Sequence, residues 1–524
     1  PLQTCNALSQ CTSSTYYGID GAPTSGGLPG QLRSTTDPNG AVTTYEYDEF
    51  GRPLKVTLPL QQASGVPSII YTYSDSASPF RIMVQHLRDE VTPAYYARRA
   101  FYDGLGREIQ QRAFADDALV SVIDTGYNAL GQVVRQSLPH GTSGNVWTYE
   151  APNWGNLVYT TRQYDVLGRP TTVSGGCAGQ VTTFSYNLGG LRTTTTDANG
   201  HRRVHVHDPQ GRLIRATEYT GTTGALLHYA TTLYGYDARG NLLRVTAGID
   251  EAYDFNDGST AGWVTTGSWE AIWSRYRGKS PTADPALSIR SGTAVTDSLI
   301  GVSLSAGAAS SSGGIVFDYV NAHTFKFVEM RTAENRWVIG QVASGNMTVL
   351  AEFVENLSAS TNHWLEVIWE GGVATVWVDG EERFAYDFGT APAAARQVGL
   401  LARGQTWTLF DDFLVAPPDE LVVTRMSYDT LGRKVAMDDP DMGHWEYAYD
   451  WLGNLITQTD ALGQMLAFQY DALDRVLRRT HEGQVLAAYT YDQGPNGIGR
   501  LARMDDPSGW TAYSYDAQGQ TTRE

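Results

Sequence analysis

Only three cysteines occur in 524 residues, too few for a disulfide framework. Cys5 and Cys11 can pair across a short loop in an exported protein, or stand as two unrelated thiols in a loose terminal segment. Charged residues are scarce at 18%, and 56 acidic against 38 basic residues give a net charge of -18. A field of that sign repels phosphate backbones, which argues against nucleic acid as a partner, and keeps a large surface soluble. No run of about 18 apolar residues exists, so no segment reads as a membrane-spanning helix. Also absent are a phosphate-binding glycine loop, a nucleophile elbow and a His-Glu-x-x-His motif. The chain begins at Pro1 and reads as a processed or excised piece, so a missing signal peptide says nothing about export.

What the chain has in quantity is glycine, 55 residues, and tyrosine, 30, a profile of tight turns and aromatic strands. The tyrosines are ordered. Tyr449-Asp450 with Gly453 is followed 21 residues later by Tyr470-Asp471, and 21 after that by Tyr491-Asp492. The fullest form, Tyr-Asp-x-x-Gly-Arg, stands at Tyr47-Asp48 with Gly51-Arg52, Tyr102-Asp103 with Gly106-Arg107, and Tyr164-Asp165 with Gly168-Arg169. Further copies are Tyr236-Asp237 with Gly240, Tyr428-Asp429 with Gly432-Arg433, and Tyr515-Asp516. Degenerate copies centre on Tyr127, Tyr186 and His207, with an eroded one around Tyr73. A period that short is one supersecondary unit, stacked many times.

Between copies lie turn tetrads such as Asp37-Pro38-Asn39-Gly40 and Asp197-Ala198-Asn199-Gly200, in which Asp bonds its own backbone and Gly takes φ > 0. Each unit therefore holds two turns and two short strands, a continuous β-meander. Tyr45 and Tyr47, Tyr447 and Tyr449, and Tyr489 and Tyr491 sit two apart, so both rings share a sheet face and are expected to stack as an aromatic ladder. A sheet of about 24 such strands must coil as its twist accumulates, giving a curved or tubular wall.

This motif resembles that of the Rhs and YD-repeat family of bacterial polymorphic toxins, insecticidal toxin-complex shell subunits and teneurins. The likeness covers roughly residues 30–248 and 418–524. It implies an all-β, spiralling antiparallel sheet that walls a hollow shell. The family's core-closing segment and variable C-terminal effector are not visible here, and the repeats are fewer than a closed shell needs.

From Tyr236 to Tyr428 the repeat is interrupted. The expected order is an irregular segment 1–29, repeats 30–248, an inserted domain 249–418 and repeats 419–524. Inside the insert, Trp364-Leu365-Glu366-Val367-Ile368-Trp369 alternates like a strand, and Asp379-Gly380 marks a hairpin. The pattern resembles a laminin-G or concanavalin-type jelly roll, a β-sandwich decorating the wall.

Eight of the 13 tryptophans fall in this insert. Aromatic faces stack on sugar rings, which makes Trp263, Trp269, Trp273, Trp337 and Trp407 candidates for glycan binding; the competing reading is that they fill a sandwich core. Asp254 and Asp257 near the start, with Asp411 and Asp412 near the end, offer hard oxygen ligands for a structural Ca²⁺, or simple turn caps. His201, His205 and His207 share parity on one strand and offer a zinc cluster, although His207 also fills a tyrosine slot. Cys177, in a glycine-rich stretch, is better placed in an inter-repeat turn than as a nucleophile. No acid/base pair of a glycosidase is recognisable.

The expectation is a non-catalytic, secreted or cell-surface shell scaffold whose module binds glycans. Its alternative is a cocoon segment of a polymorphic toxin that encapsulates and delivers a C-terminal toxic enzyme. Partners are then further repeats or neighbouring copies, glycans and an enclosed effector.

Overall fold

The computed structural model describes the chain except residues 1, 20–24, 77, 115–118, 143–146, 177–178, 188–190, 223–224, 250–251, 254, 256–259, 273–274, 283, 390–393 and 418–420. Asp254, Asp257, Trp273, Cys177 and Gly190 therefore lie outside the described residues. Among the described residues the chain is all-β, antiparallel except for one parallel bridge between Tyr236 and Glu381, with two short 3-10 turns, and it forms two compact units. One comprises Pro1–Thr182 with Glu446–Glu524, the other Thr183–Trp445.

In both units the repeats are hairpins zipped side by side. In the regular copies the signature tyrosine pairs with the sixth residue after it: Tyr47 with Pro53, Tyr164 with Pro170, Tyr449 with Leu455, Tyr470 with Val476; Tyr491, with a longer loop, pairs with Leu501. A register shift falls just before each of these tyrosines, so the Asp-x-x-Gly-Arg loop closes on a bulge that increases local twist. Gly51, Gly168 and Gly432 take φ of 81°, 82° and 79° there, a conformation a Cβ disfavours. His207 pairs with Leu213 in the same register, which confirms that it occupies a tyrosine slot. At the other end of the chain Cys5 and Cys11 are joined as a disulfide across the first hairpin.

The insert does not break the sheet beneath it. Strand Leu242–Ile249 pairs directly with Val422–Tyr428, Arg244 opposite Arg425. The inserted chain folds as two sheets. One holds Trp263–Thr266, Ala286–Val295, Ser312–Asn321, Thr324–Arg331, Arg336–Ala343 and Asn346–Val354. The other holds Ser268–Ile272, Arg275–Ser280, Ser298–Ala306, His363–Glu370, Val373–Val378 and Glu381–Asp387. The long strand Arg396–Ala416 serves both: its first part pairs in one sheet and its second in the other. Gly404 stands at the corner with φ of 99°. Between the sheets lies a core of Ile300, Val302, Phe317, Met330, Trp337, Val367, Trp369 and Phe410.

Candidate functional site

The repeat signature is a clamp. Asp48 Oδ1 accepts the amides of Phe50 at 2.9 Å and Arg52 at 2.8 Å, and its Oδ2 accepts Arg52 Nε at 2.7 Å. The Gly51 amide donates to the Asp48 carbonyl at 3.0 Å. The same set recurs at Asp103, Asp165, Asp429 and Asp471 with Arg107, Arg169, Arg433 and Arg475. At Asp237 and Asp450 the carboxamide of Asn241 or Asn454 takes the guanidinium's place.

At Tyr73, Tyr127, Tyr236 and Tyr491 the expected ring-on-ring ladder is replaced by alternation of rings with guanidinium groups, while Tyr17 and Tyr47 meet edge to face at 6.2 Å. Where the preceding repeat ends its turn in arginine, the ring sits on that guanidinium: Arg52 lies 4.1 Å from the Tyr73 ring, Arg107 4.7 Å from Tyr127, Arg212 4.9 Å from Tyr236 and Arg475 4.3 Å from Tyr491. The tyrosine hydroxyl then donates to the carbonyl of the residue following that arginine, Pro53, Glu108 or Val476, at 2.9–3.0 Å. A guanidinium over a π face is the more favourable pairing, about 0.5–2 kcal/mol, so arginines interleave the rings. The eroded copy at Tyr73 keeps this contact.

The module is fastened to the repeats rather than hung from them. The face of its second sheet that points away from the sandwich core presents Leu299, Trp364, Leu414 and Ala416, which pack with Val204, Val206, Ile214, Leu233 and Ile249 of the repeats. Ion pairs flank this apolar contact. Arg215 reaches Asp412 at 2.5 Å and lies 4.4 Å over the Trp364 ring. Arg192 Nη1 lies 3.1 Å from both Asp411 and Asp412. Arg244 pairs with Glu366 and covers Trp377 at 4.6 Å. The clamp arginine Arg212 holds its own Asp208 and also Glu381 of the module, 2.6 Å away.

Burial and the neighbouring Asp412 charge push the Asp411 carboxyl up to about 8. Burial opposes ionisation of Asp412 too, but Arg215 and Arg192 hold it below the usual carboxylate range. Two aspartates already served by guanidinium groups do not suit a calcium ion, and the other two expected ligands, Asp254 and Asp257, are not described. Among the described residues no group of three or more His, Cys, Asp or Glu is placed to hold a metal.

The candidate tryptophans are dispersed. Trp337 is fully buried in the sandwich core and donates its indole N–H to Glu355 at 2.8 Å, which removes it as a sugar platform. Trp263 packs on Phe413 at 5.0 Å and Phe255 at 5.8 Å, and Trp269 stacks on Tyr276 at 5.0 Å. Trp407 is half-buried, with Arg277 at 4.5 Å and Lys279 at 4.3 Å over its ring.

Sequence reasoning missed the free face of the first sheet. There a recess of about 370 Å³ has an apolar floor of Leu287, Phe325, Val342 and Met347 and a polar rim that includes Thr282, Asp284, His323 and Arg403. On the same face, fully buried Glu329 accepts Ser312 Oγ at 2.7 Å and pairs with Arg331 and Arg403, both at 3.0 Å. Arg403 also reaches Met347 Sδ at 3.0 Å, so its side chain lies along the floor. The only hint in sequence was the alternation Phe325-Lys326-Phe327-Val328-Glu329, which places Glu329 on the same side as the two phenylalanines. Among the described residues no helix is long and apolar enough to cross a membrane.

A profile for the RHS Repeat matches residues 30–63, 164–202 and 449–486. No curated protein matches the chain. Among solved structures, the TcdB2-TccC3 complex overlays on 99% of this chain and 28% of its own, at 15% identity and a TM-score of 0.38. The carbohydrate binding module CBM66 from Bacillus subtilis covers 29% of this chain and 94% of its own, at 14% identity and a TM-score of 0.27. The Caenorhabditis elegans galectin LEC-6 covers 27% and 95%, at 14% identity and a TM-score of 0.21. This chain thus spans less than a third of the toxin-complex chain it overlays. The sequence match and the repeated Asp–Arg–Tyr clamp agree: three stretches of this chain match the RHS repeat, and a β-sandwich interrupts the series of hairpins to which they belong.

Proposed function

We propose that the chain is a non-catalytic wall segment of an exported RHS-type assembly, and that its β-sandwich is a glycan-binding module. The observation that carries the glycan reading is the recess on the sandwich's free sheet. One outer face of the module is consumed by docking to the repeats. The other presents an apolar floor with hydroxyl, carboxylate, imidazole and guanidinium groups at its edge. That combination suits a sugar ring, which needs an apolar platform and a few placed polar partners. A glycan array probed with the whole chain, followed by calorimetry, tests it. Asp284→Ala and His323→Ala should each weaken binding about tenfold, or ~1.4 kcal/mol, without moving the melting temperature. Silence across plant, algal, bacterial and animal sugars would contradict it.

The repeats themselves favour a second reading, a wall around a toxic enzyme. In the complete protein, a polypeptide enclosed by such a wall should resist protease until the repeats are unfolded.

A further inference from the structure

Two side chains fill each junction between repeats: the residue that closes one turn and the tyrosine of the repeat after it. The tyrosine keeps its place even where the turn closes without arginine. After Gln132, Tyr164 donates to the Val133 carbonyl at 2.7 Å, and after Asn454, Tyr470 donates to the Leu455 carbonyl at 2.8 Å. At one junction, inside the unit Thr183–Trp445, both side chains are cut back. Leu191 stands where the turn that begins at Asn187 would close on arginine, and His207 stands in the tyrosine slot that follows. The His207 amide donates to the Leu191 carbonyl at 2.8 Å, so the backbones stay zipped while the side chains fall short. A cavity of about 240 Å³ lies there, with Leu191 and His207 in its wall.

The module supplies the opposite wall through Ser360, Thr361, Asn362 and Trp364. Trp364 joins Leu191, Val206 and Ile214 in an apolar floor. The charged side chains that reach the cavity already have partners. Arg192 and Arg215 hold Asp412, and Asp208 is held by Arg212. Asp379 accepts His363 Nδ1 and the Trp364 amide, both at 2.8 Å. What remains at the rim is hydroxyl, carboxamide and imidazole. Among the described residues, the Ser360 and Thr361 hydroxyls and the His207 ring have no hydrogen-bond partner, and Asn362 spends only its amide N–H, on Ser303 Oγ at 2.6 Å.

We infer that this cavity binds one neutral sugar ring. An ionic ligand would carry in a charge with no free counter-charge to meet it, and would lose its hydration without return. A pyranose lays its C–H groups against the apolar floor and trades hydrogen bonds with rim groups that both donate and accept. The volume equals roughly eight waters at ~30 Å³ each, room for a single ring. None of the lining residues belongs to the recess on the module's free sheet, so the two sites bind independently.

Saturation-transfer NMR on the whole chain tests this, in an Asp284→Ala/His323→Ala background that silences the recess. The probes are glucose, galactose, mannose, N-acetylglucosamine and fucose, with the uronate and amino forms of each hexose as charged controls. At least one neutral sugar should receive transfer, and its charged forms should bind about tenfold more weakly, ~1.4 kcal/mol. His207→Tyr returns the ring that other junctions carry, with the Arg192 carbonyl as its acceptor, and should abolish the signal while circular dichroism and melting hold. Thr361→Trp, from the exposed rim of the module, should plug the cavity and abolish it too, so the loss is not tied to the fold of the repeats. Silence from every neutral sugar, undiminished binding in both folded variants, or equal binding of the charged forms would each overturn the inference. Binding lost on Asp284→Ala alone bears only on the recess, so the two sites fail separately.

Discussion

In the fullest form of the repeat turn one arginine joins three things: its own aspartate, the tyrosine ring of the next repeat and, in places, a second carboxylate. Arg475 shows the full set, holding Asp471 and Asp492 at 2.6 Å each and lying 4.3 Å over Tyr491. Arg475→Ala should therefore cost about 1–3 kcal/mol, a charge-assisted pair plus a cation–π contact, read as a lower denaturant midpoint. The Arg475 guanidinium holds Asp492 down to about 2. A carboxylate depressed in the folded state stabilises it above the unfolded pKa, and that contribution is lost as pH falls from about 4 through 2. The melting temperature should drop across that acid window in the wild type, and less steeply in Arg475→Ala. Asp411 behaves in the opposite sense. Its folded pKa stands at about 8 against 3.8 unfolded, so the folded chain keeps a proton the unfolded chain has released, and stability falls as pH rises through that interval. Asp411→Asn should flatten the decline, measured as melting temperature from about pH 5 to about pH 9.

At the scale of elements, the hairpins were legible because each carries its own turn chemistry. Tyr-Asp-x-x-Gly-Arg states the bend, the bulge and the strand that follows. The stacking between hairpins was only half legible: parity put the rings on one face, but nothing local showed that an arginine from the previous repeat would slip between them. The docking of the module was not legible at all. Trp364, Trp377, Glu366 and Asp412 read as sandwich or turn residues, and their partners Arg215 and Arg244 lie far off in the repeats. Contacts of that separation leave no periodic trace. Gly235 is the clearest case, since it reads as a flaw between Tyr234 and Tyr236. A Cβ there would come within 2.7 Å of the Trp377 ring, so Gly235→Ala should cost about 1–3 kcal/mol by overpacking and bring melting of the module's contact forward. The recess was hidden for a related reason: its rim comes from Thr282, His323 and Arg403, which only the folded sandwich gathers.

At the scale of the whole molecule, the repeat sheet runs on beneath its guest. Strands on either side of an insert of roughly 170 residues are neighbours, Val245 opposite Thr424. Cysteines placed at both positions, Val245→Cys with Thr424→Cys, lie within the Cα separation a disulfide spans, about 4.4–6.8 Å. Mild oxidation followed by peptide mass spectrometry should recover a single 245–424 cross-linked peptide in high yield from the folded chain, and none after prior denaturation. Free thiols at both positions in the folded chain would contradict the unbroken sheet.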